Sequence, residues 1–395
     1  MLNEKAICGP CACSAAGPAV FDGLAATSYV VTNNDNASGN SATIYALDRA
    51  SGTLTHLLDL PTGGTGSNGG YFATVGVGAI ATGVTGCLYV YDSGSSDIAG
   101  FSVDLRTLNI VKVGNFSSPG LISQYPGGSL ALTPNNKFLY VTYATSENIG
   151  VWGLNPDCSL TLLATQIASV GQDFYDGIKV TPNGKSLLVT APDYQAVEMF
   201  NINPDGTLTD VGFANFGALS ECLSISCYPA GMDITADSKI AIFGNFTLNR
   251  ATVLGAAITP TGLKKPTVID LPNTGGLTTN DNVPFLSAAA YRGSGPLYLG
   301  FSGTGAGSQP GVVTTNFSES KKSIKVVAAT PINTPSQYMG LIASAGPWLV
   351  VSEWFNELQV FKVNPDGTLT PTPQGPVANG SASGAYSFFI FPNTR

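Results

Sequence analysis

The sequence has 395 residues, of which 44% are apolar and only 11% are charged. An average globular domain has roughly 25% charged residues, so this composition excludes a disordered chain, a coiled coil and a basic nucleic-acid-binding protein. The net charge of −8 argues against attraction to nucleic acid or anionic membranes, and the single histidine, His56, excludes a multi-histidine metal site.

The first 26 residues carry three cysteines, Cys8, Cys11 and Cys13, and precede any strand pattern. We interpret residues 1–26 as an arm that can mediate self-association, and residues 27–395 as a single domain. The start of the chain lacks the apolar stretch of a signal peptide. The low content of Lys and Glu favours a secreted protein whose signal was removed, with a cytoplasmic location as the alternative. No run of 18 apolar residues is present, so we expect no membrane span.

Internal repetition is the strongest signal in the chain. Residues 128–163, 176–211 and 338–370 share one order: an apolar run, a turn, a second apolar run, a polar loop, an alternating run, a turn and a short strand. Pro182–Gly184 suits a tight hairpin, and Asn203–Gly206 forms an Asn-Pro-Asp-Gly turn. Each stretch therefore predicts four antiparallel strands.

Weaker copies occupy residues 71–113, 230–270 and 285–330, and residues 28–58 supply three strands of a further unit. The strand that this unit lacks follows the last full copy, at residues 386–392. Six full units and one split unit predict an all-β fold, a seven-bladed β-propeller of four-stranded antiparallel blades. We expect the N- and C-terminal strands to pair in one blade and close the ring, because closure removes free sheet edges.

One repeat carries a resemblance to a known family. It has Thr-Pro-Asn-Gly-Lys at residues 181–185, an apolar strand, and Asn-Pro-Asp-Gly-Thr-Leu at residues 203–208. This pattern resembles the lactonase-type seven-bladed propellers, which include 6-phosphogluconolactonase and the fungal carboxymuconate-lactonizing enzyme. The matching residues are turn and core residues, so they support the fold more than an activity. The resemblance implies a site at the channel mouth built from His, Arg and Glu side chains.

We expect the ligand site where the loops before the inner strands meet the loops between second and third strands. Arg250 is a candidate catalytic residue that can hold a carboxylate or an oxyanion, and Glu353 and Asp176 can transfer a proton. A local pairing or capping role is the alternative for each of the three. The candidate substrate-binding residues at the same mouth are Tyr175, Asn245, Gln337, Tyr338 and Trp354. The same set of loops also holds Asn33, Asp35, Asp92 and Asp97.

His56 lies in a predicted outermost strand, so we interpret it as structural. The channel histidine of the resembling family is therefore missing. A phosphorylated sugar lactone would need several cations, and Arg250 is the one cation that we predict at the channel mouth. The sequence consequently disfavours 6-phosphogluconolactonase activity.

Cysteine spacing predicts one disulfide, Cys222–Cys227, within a single loop, while Cys87 and Cys158 have no evident partner. An odd total leaves one thiol unpaired or intermolecular.

We expect no cofactor. A calcium ion held by Asp176, Asn245 and Glu353 would have suitable oxygen ligands, but no spacing typical of an EF-hand supports it. The glycine-rich stretches 63–70 and 303–307 lack a following helix, so we interpret them as loops rather than phosphate cradles.

Five N-glycosylation sequons occur, at Asn36, Asn115, Asn245, Asn316 and Asn379. In a chain this rich in Asn, Ser and Thr, that number is expected by chance and does not indicate glycosylation.

The predicted function is that of a secreted lactonase-like propeller that hydrolyses or isomerises a lactone or an unsaturated carboxylic acid. Its ligand would be a lactone or a carbohydrate-like small molecule, and no nucleic acid. The alternative is a non-catalytic extracellular propeller that binds glycans or proteins or assembles with itself. Convergence of Arg250 and a carboxylate in one pocket would favour the enzyme.

Overall fold

The computed structural model describes most of the chain between residues 27 and 391. The described residues are 27–67, 77–82, 85–104, 107–117, 128–143, 147–170, 177–225, 227–246, 251–272, 274, 277, 285–291, 296–302, 310–318, 323–332, 339–353, 357–378 and 387–391. The predicted arm, residues 1–26, lies outside them.

The described residues form 29 strands and one short helix. The strands of the first half are β1 (Thr27–Asn33), β2 (Ser41–Asp48), β3 (Leu54–Pro61), β4 (Val77–Thr82), β5 (Thr85–Asp92), β6 (Asp97–Asp104), β7 (Asn109–Ser117), β8 (Leu130–Leu132), β9 (Phe138–Thr142), β10 (Asn148–Leu154), β11 (Leu160–Ile167), β12 (Ile178–Val180), β13 (Ser186–Ala191), β14 (Ala196–Ile202) and β15 (Leu208–Asn215). The helix α1 (Cys222–Ile225) and the remaining strands follow: β16 (Tyr228–Ile234), β17 (Ile240–Phe246), β18 (Thr252–Thr259), β19 (Gly262–Asp270), β20 (Phe285–Tyr291), β21 (Leu297–Ser302), β22 (Gly311–Ser318), β23 (Ser323–Pro331), β24 (Met339–Ala345), β25 (Trp348–Glu353), β26 (Glu357–Val363), β27 (Leu369–Pro371), β28 (Val377–Ala378) and β29 (Ser387–Phe391).

The strands form seven antiparallel sheets arranged as a β-propeller, which confirms the predicted all-β, seven-bladed architecture. Six sheets combine consecutive strands, and the remaining sheet has the order β29-β1-β2-β3. One edge strand of each sheet contacts its counterpart in the next sheet: β29, β4, β8, β12, β16, β20 and β24 form a cycle that returns to β29. We call these seven the inner strands, since they surround the propeller axis.

The last of the described strands pairs with the first. β29 runs antiparallel to β1, with Ile390 opposite Val30 and Phe388 opposite Thr32. Both Phe388 and Ile390 are buried beside Val30. The first sheet is therefore built from both ends of the described chain.

One sheet departs from the predicted four strands. In the sheet that begins with β24, the fifth strand β28 pairs with β26 beside the short strand β27. β27 ends at Pro371, and Pro373 follows two residues later; neither has a backbone N–H for the sheet. Val377 and Ala378 pair with the part of β26 that β27 leaves open, opposite Leu358 and Glu357.

The two ends of the propeller are formed by different kinds of connection between strands. The turn face holds the hairpins between first and second and between third and fourth strands, such as residues 134–137 and 204–207. The loop face, at the opposite end, holds the loops between second and third strands and the connections between sheets. It includes residues 34–40, 62–67 and 93–96.

On the turn face, one hydrogen-bonded hairpin recurs. Thr181 Oγ1 donates to Asn183 Oδ1 at 2.8 Å, and the N–H of Lys185 donates to the same oxygen at 3.0 Å. The N–H of Ser186 donates to Thr181 Oγ1 at 3.0 Å. Equivalent bonds occur at Thr133 with Asn135 and at Thr235 with Asp237. These side chains pair hairpin N–H groups that the strands leave unpaired and so fix the strand register.

The Asn-Pro-Asp turns of the same face are also alike. Asn203 Nδ2 donates to the hydroxyls of Thr207 and Thr209, and Asp205 accepts from the hydroxyl and N–H of Thr207. The turns that begin at Asn155 and Asn364 repeat this arrangement. Hydrogen bonds from the Ser or Thr hydroxyl hold the pKa of three turn carboxyls below the ordinary value: Asp157, Asp205 and Asp366.

Core side chains fill the spaces between neighbouring sheets. Between the last and first sheets, Trp348 and Val350 pack with Val30 and Tyr45. Trp348 Nε1 also donates to the carbonyl of Arg49 at 2.8 Å. Burying each such side chain stabilises the fold by about 1.5–3 kcal/mol, so every sheet depends on both of its neighbours.

Within the described residues, two disulfides reinforce these contacts. Cys222 and Cys227 are bonded across α1, as the sequence predicted. Cys87 on β5 is bonded to Cys158 in the turn between β10 and β11, a pairing that the sequence did not indicate. This second bond joins two neighbouring sheets covalently.

Candidate ligand site on the loop face

Most of the predicted site residues lie outside the described part of the chain. They are the candidate catalytic residues Arg250 and Asp176 and the candidate binding residues Tyr175, Gln337, Tyr338 and Trp354. Glu353 is the last residue of β25, and its backbone pairs with Glu357. These assignments stay predictions.

Asn245 is the candidate binding residue whose side chain is described. It lies near the end of β17, with no exposed surface. Its Nδ2 donates to Thr252 Oγ1 at 2.8 Å and lies 3.9 Å from Cys227 Sγ. Within the described part of the chain, its Oδ1 accepts no hydrogen bond. Asn245 therefore fixes the second and third strands of its sheet beside the disulfide, and a ligand would reach it only after a rearrangement.

The structure brings Asp35 and Asp92, two acids of the predicted loop set, into one buried polar network between the first two sheets. Asn40 Nδ2 donates to Asp92 Oδ1 at 2.7 Å and to Asn33 Oδ1 at 2.9 Å. The N–H of Asp35 donates to the same Asn33 oxygen at 3.2 Å. Ser93 Oγ donates to Asp35 Oδ1 at 2.5 Å. Asp35 and Asp92 are almost wholly buried.

A glycine-rich segment passes closely over these two acids. A Cβ atom on Gly64 would lie 2.3 Å from Asp92 Oδ2, and one on Gly66 would lie 2.1 Å from the backbone carbon of Asp35. The N–H of Ser67 donates to Asp35 Oδ1 at 3.0 Å. Only glycine allows this close approach of the backbone. Residues 63–67 form a loop, as predicted, in which Gly64 and Gly66 are buried over the network. Residues 68–70 and the second predicted loop, residues 303–307, lie outside the described residues.

Burial raises the pKa of Asp92 to about 8, with hydrogen bonding and repulsion from Asp97 acting in the same direction. Hydrogen bonds from Thr62 and Asn40 act in the opposite direction. Asn115 Nδ2 bridges the two acids, 2.6 Å from Asp97 Oδ1 and 3.3 Å from Asp92 Oδ2. Asp92 is therefore largely protonated at neutral pH.

A second buried carboxylate on the loop face, Glu198 of β14, holds a connection between sheets. Glu198 Oε1 accepts from the N–H and the hydroxyl of Ser169 at 2.7 and 2.8 Å, and Oε2 accepts from the N–H of Val170 at 3.3 Å. Burial raises the pKa of Glu198, although these bonds oppose the shift. These three bonds hold the described start of the connection, residues 169 and 170, against β14.

The described inner strands bring two charged side chains together near the axis. Lys179 of β12 donates to Asp233 Oδ1 of β16 at 2.5 Å and to the carbonyl of Met232 at 3.3 Å. Asp233 is only 2% exposed and Lys179 is 26% exposed. Lys179 is the one cation within the described inner strands, and its charge is balanced by Asp233.

His56 lies on β3, the outer edge strand of the first sheet, as predicted. Its Nε2 is 3.2 Å from Asp59 Oδ1, and both side chains are about half exposed. Among the residues that the structure describes, no three His, Cys, Asp or Glu side chains are arranged to hold a metal ion. Within the same residues, no helix has the length and apolar character that crossing a membrane requires.

Solved structures share this architecture over nearly the whole chain. A putative 6-phosphogluconolactonase from Bacteroides fragilis is 16% identical, with a TM-score of 0.66; the match covers 95% of this chain and 99% of that one. The periplasmic gluconolactonase PpgL of Pseudomonas aeruginosa is 15% identical, with a TM-score of 0.67, and the match covers 92% and 98%. This chain has the fold of the lactonase-type seven-bladed propellers.

Other comparisons limit what this structural likeness says about function. The sequence matches no protein-family model and no curated protein. Yeast Sqt1, which is 9% identical, also shares the fold with a TM-score of 0.53. At identities this low the likeness shows the fold and no activity.

Sequence reasoning placed Asp35, Asp92 and Asp97 on the loop face but missed their connection through Asn40 and Asn115. Residues 33–40 are rich in Asn and residues 62–67 in Gly and Thr, a composition that is typical of loops and does not by itself indicate a buried network. No local pattern shows that these two segments meet each other and the end of β5, because the hydrogen-bonded residues lie 22 to 58 positions apart in sequence.

Proposed function

We propose that this protein is a secreted, lactonase-like propeller that hydrolyses or isomerises a lactone or an unsaturated carboxylic acid on the loop face. The observation that carries the proposal is its likeness to the gluconolactonase PpgL, which extends over 92% of this chain and 98% of that one. A domain of this kind offers one concave mouth, where ligands commonly bind. The two disulfides are consistent with an oxidising compartment.

The directions of the described strands support a shared location for the candidate residues. β17 and β25 are the second strands of their sheets, and both end at the loop face. Arg250 follows the end of β17 by four residues, and Glu353 is the last residue of β25. β12 is an inner strand that begins at the loop face, and Asp176 precedes it by two residues. All three candidates therefore belong to segments attached to the same end of the propeller.

In the proposed hydrolysis, the carboxylate of Glu353 or Asp176 removes a proton from water, and the resulting hydroxide attacks the lactone carbonyl. Arg250 stabilises the oxyanion that forms on the carbonyl oxygen. The tetrahedral intermediate then expels the ring oxygen, which takes the proton back from the carboxylic acid. The products are the open-chain hydroxy acid and the unchanged protein.

The charge balance near the axis favours a substrate without a phosphate group. The cation of the described inner strands, Lys179, is already paired with Asp233. A phosphate group would need unpaired cations. We therefore expect sugar or aromatic lactones to be better substrates than 6-phosphogluconolactone.

The test measures proton release from a panel of sugar, aromatic and phosphorylated lactones. Wild type is compared with Arg250→Ala and Glu353→Gln, and with Arg49→Ala, whose side chain lies at the opposite, turn face. We expect kcat/KM to fall about 100-fold or more in the first two variants, since each removes an electrostatic or acid–base group. Arg49→Ala should match wild type.

Absence of activity across the panel in wild type would overturn the enzyme proposal. Activity that is unchanged in both Arg250→Ala and Glu353→Gln would also overturn the assigned site. Either result would move the assignment to a propeller that binds glycans or proteins.

A further inference from the structure

The sequons that the structure describes differ in the surroundings of the acceptor nitrogen. An N-linked glycan is bulky and must project into solvent from the side-chain nitrogen of Asn. A glycan cannot project into solvent from a buried nitrogen, and a nitrogen that donates two structural hydrogen bonds would lose one of them on modification. Four sequons have described acceptor side chains, at Asn36, Asn115, Asn245 and Asn316, and Asn379 lies outside the described residues. Asn36 is half-buried on the loop face, where its N–H donates to Asn40 Oδ1, and the comparison below concerns the other three.

Asn245 and Asn115 are both unsuitable acceptors. Asn245 has no exposed surface, and its Nδ2 donates to Thr252. The Nδ2 of Asn115 donates to Asp97 at 2.6 Å and to Asp92 at 3.3 Å. The Asn115 side chain is exposed, but a glycan would replace one of the two amide hydrogens that bridge these acids.

Asn316 has a different environment. It is exposed near the end of β22, where its backbone pairs with Lys325 of β23. Its neighbour Phe317 packs against the core beside Ile324, which directs the Asn316 side chain outward because successive strand residues face opposite sides. Ser318, the hydroxyl residue of the sequon, is the last residue of the strand.

The position of Asn316 also keeps a glycan away from the ligand-binding end. β22 is the third strand of its sheet and runs from the loop face to the turn face, so Asn316 lies near the turn face. Asn115 and Asn245 lie near the loop-face ends of β7 and β17. A glycan on Asn316 would therefore leave the loop-face mouth open.

We propose that Asn316 is a site of N-linked glycosylation on the turn face, and that Asn115 and Asn245 are not modified. The proposal requires passage through a eukaryotic secretory pathway, with which the two disulfides agree. It is independent of any catalytic activity.

The test is secretion of the full chain from a eukaryotic host, followed by enzymatic glycan release in H₂¹⁸O and peptide mass spectrometry. We expect the mass label on Asn316 and no label on Asn115 or Asn245. Asn316→Gln and Ser318→Ala should each remove one glycan from the intact mass, whereas Asn115→Gln should remove none.

Ser318→Thr keeps the sequon intact and should retain the glycan, which separates loss of the acceptor motif from loss of folding. An unlabelled Asn316 in the folded, secreted protein would overturn the proposal. A label on Asn245 or Asn115 would overturn it as well, because Asn245 is buried and the Asn115 amide donates to two carboxyl groups.

Discussion

Asn40 and Asp92 are 52 residues apart in sequence, yet the Asn40 amide donates a 2.7 Å hydrogen bond to the Asp92 carboxyl. Asn40 precedes β2 in the first sheet, and Asp92 ends β5 in the second. The bond therefore spans the boundary between two blades. It places a carboxyl group with a raised pKa where the blades must hold together.

We expect the Asp92 carboxyl to make the free energy of unfolding depend on pH. Its pKa is about 8 in the folded protein, against an ordinary value of 3.8. Between these values the folded state binds more protons than the unfolded state, so stability falls as pH rises from about 4 to 8, by at most about 1.4 kcal/mol per pH unit. Above pH 8 this group causes no further change.

Asp92→Asn should remove that dependence, because a neutral amide keeps an acceptor for Asn40 and does not titrate. Urea unfolding at pH 4, 6 and 8 should show the variant more stable than wild type at pH 8 and similar at pH 4. Asp270→Asn, at an exposed end of β19, serves as the control. Parallel pH curves for wild type and Asp92→Asn would contradict the assignment.

The Lys179–Asp233 pair should show strong coupling. Lys179→Met leaves Asp233, which is 2% exposed, without its cation. Removing one partner of a buried pair typically costs about 3–5 kcal/mol, and the partial exposure of Lys179 favours the lower end. Denaturant unfolding should give a loss of about 3 kcal/mol.

The double variant Lys179→Met with Asp233→Asn provides the control for this pair. Its loss of stability should be clearly smaller than the sum of the two single losses, since no unpaired buried charge remains. Additive losses would show that the two groups do not interact.

The two disulfides should differ in their contribution to stability. Cys87–Cys158 spans 71 residues and Cys222–Cys227 spans 5. In the chain-entropy treatment, these separations correspond to about 4 and about 2 kcal/mol. Paired Cys→Ala variants, compared by thermal and urea unfolding, should follow this order; equal losses would contradict it.

Cys158 also allows a test of backbone strain in its turn. It occupies the turn position that Gly206 fills in the next repeat, and both have positive φ angles, 67° and 88°. A left-handed conformation costs a non-glycine residue about 1–2 kcal/mol. With Cys87→Ala as the common background, Cys158→Gly should therefore be more stable than Cys158→Ala by about 1 kcal/mol. Equal midpoints of unfolding would show that the turn is not strained.

Loss of β29 should open the first sheet. A chain that ends at residue 386 lacks Phe388 and Ile390, both of which are buried, and leaves one edge of β1 unpaired. Free strand edges promote association between chains. Size-exclusion chromatography should show aggregates or no folded monomer. A monomer with an unchanged unfolding midpoint would mean that the ring does not depend on this strand.

Ile390→Ala is the point variant that accompanies this truncation. It keeps the backbone pairing with Val30 and removes only buried side-chain volume. A loss of about 2–5 kcal/mol with retention of the monomer is expected. The comparison separates loss of packing from loss of the strand itself.

The propeller could be predicted from sequence because its determinants are local. The hydrogen bonds that shape the Thr181 hairpin join residues at most five positions apart, so the motif Thr-Pro-Asn-Gly-Lys is visible in the chain. The same holds for the Asn203 turn. Repetition of such turns at regular spacing then predicts the number of blades.

The contacts at the candidate site could not be predicted from local sequence patterns. Cys87 and Cys158, like Asn40 and Asp92, meet only because neighbouring sheets pack face to face. The sequence gives the residue types of such contacts but not their partners. For Arg250 and Asp176 the sequence supplies a face of the molecule and a chemical role, and the activity assay is what tests them.

The Cys87–Cys158 bond also has a mechanical consequence. The described chain begins and ends in the same sheet, where β29 lies beside β1, so a force applied to the two ends would act first on that pair. The disulfide would prevent further stretching of the segment that it closes. This segment spans 71 residues, which corresponds to roughly 250 Å of extended chain. Under oxidising conditions the stretched molecule should be shorter by that length than after reduction.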